Sequence, residues 1–168
     1  MRERIRNMVY AAIIAALYVV LTHMQNFLLP GSASWAIQCR LSEIMCVLAF
    51  FTPAAVPGLT IGCLVFNITF AAALPFDWIV GSAATLTAAA AMWKLRDVKI
   101  LGYPFLGMVM PALTNAVLVG WELNVFLGGG FWISALYVAL GELIVLMIPG
   151  SVLYFTIKRR HLDTMLFA

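Results

Sequence analysis

Residues 44–76 read IMCVLAFFTPAAVPGLTIGCLVFNITFAAALPF, without one Asp, Glu, Lys or Arg. Wound as a single α-helix, this stretch would be about 49 Å long at 1.5 Å per residue, too long for a hydrocarbon slab of about 30 Å. A break is expected inside it. Thr52-Pro53-Ala54-Ala55-Val56-Pro57-Gly58 supplies one, because proline removes a helical donor and glycine tolerates the turn.

The neighbouring charge-free stretches are 7–39, 78–93, 100–121, 123–141 and 143–157. Basic residues gather in three clusters between or beyond them: Arg2, Arg4 and Arg6; Lys94, Arg96 and Lys99; Lys158, Arg159 and Arg160. The positive-inside tendency assigns all three clusters to the cytoplasm, so an even number of crossings must separate them. Splitting 44–76 satisfies this and leaves Arg40 alone among the ten Lys and Arg on the outer side. The expectation is an all-α integral membrane protein with six transmembrane helices and both termini cytoplasmic, as one transmembrane domain over 1–168. The last two spans are placed at Tyr103 to about Trp121 and Phe131 to about Ile157. A cleavable leader ending near Ser32-Ala33-Ser34 would remove the first span and break this parity.

Composition agrees. The 168 residues are 64% apolar and only 10% charged, too few polar groups to clothe a soluble globule. Mean hydropathy is +1.03. No G-x-x-x-x-G-K-[ST] loop is present, so energy for uphill transport would come from another chain. Cys39, Cys46 and Cys63 form no CxxC pair and sit in apolar surroundings, as small packing residues do. His23 and His161 fall on opposite sides of the predicted membrane, which argues against a metal site, and nothing orients Ser42 and His23 as nucleophile and base.

Counting from the predicted outer helix ends places Asn67, Thr85, Asn115 and Glu43 roughly 9 to 11 Å below the rim and Glu142 roughly 15 Å below it. Arg40 and Glu43, three apart on one helical face, could neutralise each other. Two readings are open for this layer: interhelical glue, or a polar cavity opening outward. Above it lie Trp35, Phe76, Trp78, Trp121, Phe126, Phe131 and Trp132, with Tyr137 one turn into the last helix. They suit an interfacial belt or flat faces for a planar ligand. Ala11, Ala12, Ala15 and Ala16 make a face of low relief on the first helix, and Gly58/Gly62 another; such faces pack either within the bundle or against a partner helix.

The six-helix layout, this alanine face, Gln38-Cys39-Arg40-Leu41-Ser42-Glu43, Pro57-Gly58-Leu59-Thr60-Ile61-Gly62-Cys63, Asn67, Asp77-Trp78-Ile79-Val80-Gly81 with Ala84-Thr85-Leu86, and Gly141-Glu142 resemble the QueT family over nearly the whole chain. That family comprises substrate-binding S components of energy-coupling factor (ECF) transporters, associated with uptake of queuosine precursors. The resemblance implies an S-component bundle in a prokaryotic cell membrane, multi-pass and in contact with lipid. It would capture a 7-deazaguanine-type base and dock through Ala11, Ala12, Ala15 and Ala16 on a T component driven by two ATPase subunits. ATP would bind those partners; this chain would carry no cofactor or metal, catalyse no reaction and bind no nucleic acid. The segment Gln25 to Trp35 would cap the site.

A 7-deazaguanine ring presents a ring N–H beside an exocyclic amine, two donors that one carboxylate accepts together. Glu43, Asp77 and Glu142 are candidates for that acceptor. Asn67, Asn115, Gln38 or Arg40 could donate to the ring carbonyl, and Trp35, Trp78 or Tyr137 could stack on its faces. Thr85 completes the candidate set, and Glu122 could balance an aminomethyl cation. Arg40 could instead be structural, tied to Glu43. The alternatives are an S component for another planar vitamin (a flavin such as riboflavin, thiamin or biotin) and a structural membrane subunit without a ligand site.

Overall fold

The computed structural model describes residues 1–30, 40–70 and 74–167. Among them the chain is helical throughout: α1 (Arg2–Leu28), a 3-10 helix (Leu41–Phe50), α2 (Ala55–Thr69), α3 (Asp77–Lys94), α4 (Phe105–Leu127), α5 (Phe131–Val145), a π-helical turn (Leu146–Gly150), α6 (Ser151–Arg159) and α7 (Leu162–Phe167). Arg2–Leu28, Phe105–Leu127 and the continuous run Phe131–Arg159 are long and apolar enough to cross a membrane. Leu41–Phe50 and Ala55–Thr69 are shorter apolar helices.

The stretch 44–76 does break where its prolines stand. The 3-10 helix ends at Phe50, Thr52 to Ala54 turn, and α2 begins at Ala55. The first piece differs from the expected α-helix. Runs of 3-10 helix beyond three or four residues are uncommon, yet this one has ten. At about 2.0 Å per residue it reaches roughly 20 Å, against roughly 15 Å for an α-helix of the same length. Its three residues per turn align Glu43, Cys46 and Ala49 in one row, and all three are buried. The segment is the hub of the bundle, touching α1, α2, α3, α5, α6 and the π turn.

Around this hub, α1, α2, α3, α4 and α5 pack in chain order. Ala11 and Ala15 of α1 are buried on α2. A Cβ on Gly58 would stand 2.8 Å from the Ala11 carbonyl oxygen, and one on Gly62 would stand 3.0 Å from that of Ala15. The two small-residue faces therefore meet each other. Ala12 and Ala16, one position further round, are exposed.

The lower core holds Ile14, Tyr18, Phe50, Leu59, Phe66 and Met108, and a smaller cluster joins Ala84, Val119, Leu123 and Val138. Ile13, Leu17, Val20, Val117, Leu136 and Ile144 face outward. Apolar side chains outside and carboxylates inside are what a lipid solvent selects.

Two features differ from expectation. α4 continues past Trp121 to Leu127, and a short α7 follows the last basic cluster. The α4–α5 connection is Gly128-Gly129-Gly130, all at positive φ, a region L side chains rarely adopt.

Candidate functional site

The interior of the bundle is acidic. Glu43 on the 3-10 helix, Asp77 at the start of α3, Glu122 on α4 and Glu142 on α5 are all buried, and among the described residues Arg40 is the sole buried basic side chain. Charges at such depth need partners, and their partners sort the four carboxylates into distinct states.

Glu43 is saturated. Tyr18 donates its hydroxyl to Oε1 at 2.6 Å, and the Cys46 thiol, one 3-10 turn on, lies 3.0 Å from Oε2. Glu142 is half-filled: Asn115 donates from Nδ2 to Oε1 at 2.9 Å, while Oε2 is buried with no hydrogen-bond partner among the described residues. Glu43 and Arg40 are the charged groups acting on Glu142, so these elements converge on one place. The Arg40 guanidinium lies 5.8 Å from the centre of the Phe66 ring.

Asp77 is held by its own turn. Its Oδ2 accepts from the Leu74 backbone N–H at 2.9 Å, and its carbonyl accepts from Asn67 Nδ2 at 2.8 Å. Gly81 makes room for that amide, since a Cβ there would stand 2.7 Å from Asn67 Nδ2. The other end of the amide, Oδ1, has no partner among the described residues. Thr85 is buried and spends its hydroxyl on the Gly81 carbonyl at 3.0 Å.

Glu122 has no exposed surface, and neither of its carboxylate oxygens has a hydrogen-bond donor among the described residues. Asp77 faces it within hydrogen-bond reach, so the two carboxyl groups need a shared proton, and Arg40 is the next charge acting on Glu122. The Ser42 hydroxyl is buried and open as well. The open inventory is thus Glu122 Oε1 and Oε2, Glu142 Oε2, Asn67 Oδ1 and one hydroxyl: acceptors in excess. Such a lining suits a molecule rich in N–H donors.

The structure draws Arg40, Glu43, Asn67, Asp77, Thr85, Asn115 and Glu142 into this interior. Trp78 and Tyr137 sit apart from it. Trp78 is half-exposed with its indole N–H on the Pro75 carbonyl at 3.1 Å, and Tyr137 borders a hollow with Leu123, Ile133 and Ser134. Trp35 and Gln38 lie outside the described residues, as do residues 31–35 of the expected cap from Gln25 to Trp35. Gln25 itself is buried, and its Oε1 accepts from the Leu41 N–H at 2.7 Å, tying α1 to the head of the 3-10 helix.

Tyr18 and Cys46 are not among the sequence candidates, and Glu122 enters there only as a balance for an aminomethyl cation. Tyr18 and Cys46 read as core residues until the fold sets them against Glu43. Glu122 carried a signal: it stands seven residues after Asn115, two turns up the same helical face. The interior is therefore a column rather than a thin layer, since Glu122 stands about 10 Å along α4 from Asn115, the partner of Glu142.

At the other end, Ala12 borders a groove of about 460 Å³ with Asn7, Met8, Pro53, Pro57 and Ile61.

This arrangement can be set beside known proteins. A 91-residue stretch is 36% identical to a queuosine precursor transporter, QueT, of Lactococcus lactis subsp. cremoris (strain MG1363), covering 51% of this chain and 48% of that protein. The chain thus spans about half the length of the curated relative it matches. No solved structure matches it. The family described as QueT transporter matches residues 8–159, which include every element from α1 to α6 that contributes to the buried acidic column. On that coverage, the chain belongs to the QueT transporter family.

Proposed function

We propose that this chain is the solute-binding membrane subunit of an ECF-type importer, specific for a queuosine precursor of the 7-deazaguanine type. The observation that supports it most is the donor-poor acidic interior, four buried carboxylates with one buried cation among the described residues, enclosed by helices whose outer faces are apolar. A planar base with a ring N–H, an exocyclic amine and, in some precursors, an aminomethyl cation carries the donors this lining lacks. The name of the Lactococcus lactis relative points to the same class.

In this reading the polypeptide crosses the cell membrane six times with both ends in the cytoplasm. Solute enters from outside and settles in the upper part of the column against Glu122, Asp77 and Asn67. Asn115, Glu142 and Arg40 lie beneath it, and Gln38, Trp35 and the cap close over it. Trp78 and Tyr137 flank the mouth. The chain performs no chemistry; a T component and two ATPase subunits supply the work. Ala11, Ala12 and Ala15, which line the groove, and Ala16, exposed on the same helix, form the docking face.

Purified protein titrated with 7-deazaguanine derivatives, riboflavin, thiamin and biotin tests this. A dissociation constant in the nanomolar range for a deazaguanine and none for the others is expected. Tight binding of one of the other vitamins would replace the assignment. Glu142→Gln should fold, because Asn115 still finds an amide oxygen, and yet lose uptake. Full uptake in that variant would leave the column a structural feature.

A further inference from the structure

Four buried carboxylates are not equivalent acceptors, and their hydrogen-bond states rank them. Glu43 has both oxygens occupied, by Tyr18 and Cys46. Glu142 has one occupied, by Asn115. Asp77 has Oδ2 taken by the Leu74 N–H. Glu122 has neither oxygen matched to a donor among the described residues, although it is fully buried. We infer that Glu122 is the residue that reads the solute's paired-donor edge, accepting a ring N–H and an adjacent exocyclic N–H together, with the facing Asp77 carboxylate accepting the amine's second hydrogen.

This rests on the transport reading above and deepens it by naming the specificity determinant. Its physical basis is donor arithmetic. An amine-bearing lactam edge offers three N–H groups in a row. Glu122 supplies two acceptors in one plane that no N–H, hydroxyl or thiol of the described residues engages, as bidentate recognition requires, and Asp77 lies within hydrogen-bond reach of them from the start of α3. Two carboxylates within hydrogen-bond reach of each other share a proton when nothing lies between them, and a donor-rich molecule supplies N–H groups to both in its place. Helix α4 holds Glu122 in place: Val119 and Leu123 on either side are buried in the upper apolar cluster. A site built to hydrogen-bond a substrate N–H rejects the analogue lacking it by large factors, because its own buried acceptors are then left open. Glu43, with a donor from within the fold on each oxygen, is a less available reader of the edge than Glu122.

The test uses the full chain in lipid nanodiscs and two probes, 7-deazaguanine and 7-deazahypoxanthine, which share the ring N–H and differ by the exocyclic amine. Binding is measured to wild type, Glu122→Gln and Glu122→Asp. Wild type should prefer the amine-bearing probe by about 100-fold or more. Glu122→Gln, which places an amide N–H against the solute's own donors, should bring the two probes within about threefold of each other. Glu122→Asp keeps both acceptors on a shorter arm, so it should weaken both probes and retain a preference; this variant preserves the buried charge and guards against a folding artefact. An unchanged preference in Glu122→Gln, or a wild type indifferent to the amine, overturns the role of Glu122 and leaves the transport reading standing. A wild type that binds neither probe overturns the transport reading and this inference with it.

Discussion

Tyr18 of α1 donates its hydroxyl to Glu43 Oε1 at 2.6 Å, and neither residue has more than a trace of surface. This bond pins the central 3-10 helix to the first membrane helix from within. Tyr18→Phe removes the donor and leaves a buried carboxylate oxygen open, at a cost of about 1–3 kcal/mol. Thermal unfolding in detergent should show the loss, and Glu43→Gln added to it should recover part, since a neutral amide is cheaper to bury. A melting temperature unmoved by Tyr18→Phe would mean that the bond contributes nothing.

Gly58 and Ala12 lie on opposite sides of α1's small-residue surface and should respond oppositely to added bulk. A side chain at Gly58 collides with the Ala11 backbone at 2.8 Å, so Gly58→Leu should separate α1 from α2 and lower stability by several kcal/mol. Ala12→Trp points away from the bundle and should leave melting nearly unchanged, within about 0.5 kcal/mol. It should nonetheless abolish co-purification with the proposed T component and ATPase subunits. Normal assembly of Ala12→Trp would move the docking face elsewhere.

Gly81 matters through Asn67. A methyl group there meets Asn67 Nδ2 at 2.7 Å, and the end of that side chain can swing aside. Gly81→Ala should therefore fold while displacing the amide from the Asp77 carbonyl, weakening solute binding by about tenfold. Wild-type affinity in Gly81→Ala would show that Asn67's position is immaterial to the site.

After α6, Lys158 Nζ stands 3.0 Å from Asp163 Oδ2, and this hydrogen bond holds the Asp163 carboxyl below the usual carboxylate range. A depressed pKa stabilises the folded form above the ordinary value and ceases to as pH falls through the lowered one. Amide exchange in α7 should accordingly accelerate as pH drops below the carboxylate range, after correction for intrinsic rates. Asp163→Asn should exchange fast at every pH. A pH-independent α7 in the wild type would show that the pair does not hold the helix.

Much of the architecture was legible because lipid imposes a simple rule. Apolar runs become helices, basic clusters mark their ends, and Pro53, Pro57 and Gly58 break the overlong stretch where they stand. What misled was the use of charge as a helix boundary. The span ending near Trp121 leaves Glu122 beyond the helix because a charge ends an apolar run, whereas α4 carries it inside, facing Asp77. Nor could spacing tell α from 3-10 winding at Leu41–Phe50, since packing against six other elements, not propensity, sets that geometry.

The amino-acid sequence by itself determined that this is a helical membrane protein with an unusual number of interior polar residues, since hydropathy and charge spacing are additive properties readable one residue at a time. Only the tertiary structure decided which carboxylates are satisfied. Whether Glu43, Glu122 or Glu142 has acceptors to spare depends on donors 25 to 27 positions away in the chain, or on their absence among the described residues. Hydrogen bonding is directional and short-ranged, so no pattern along the chain can anticipate it.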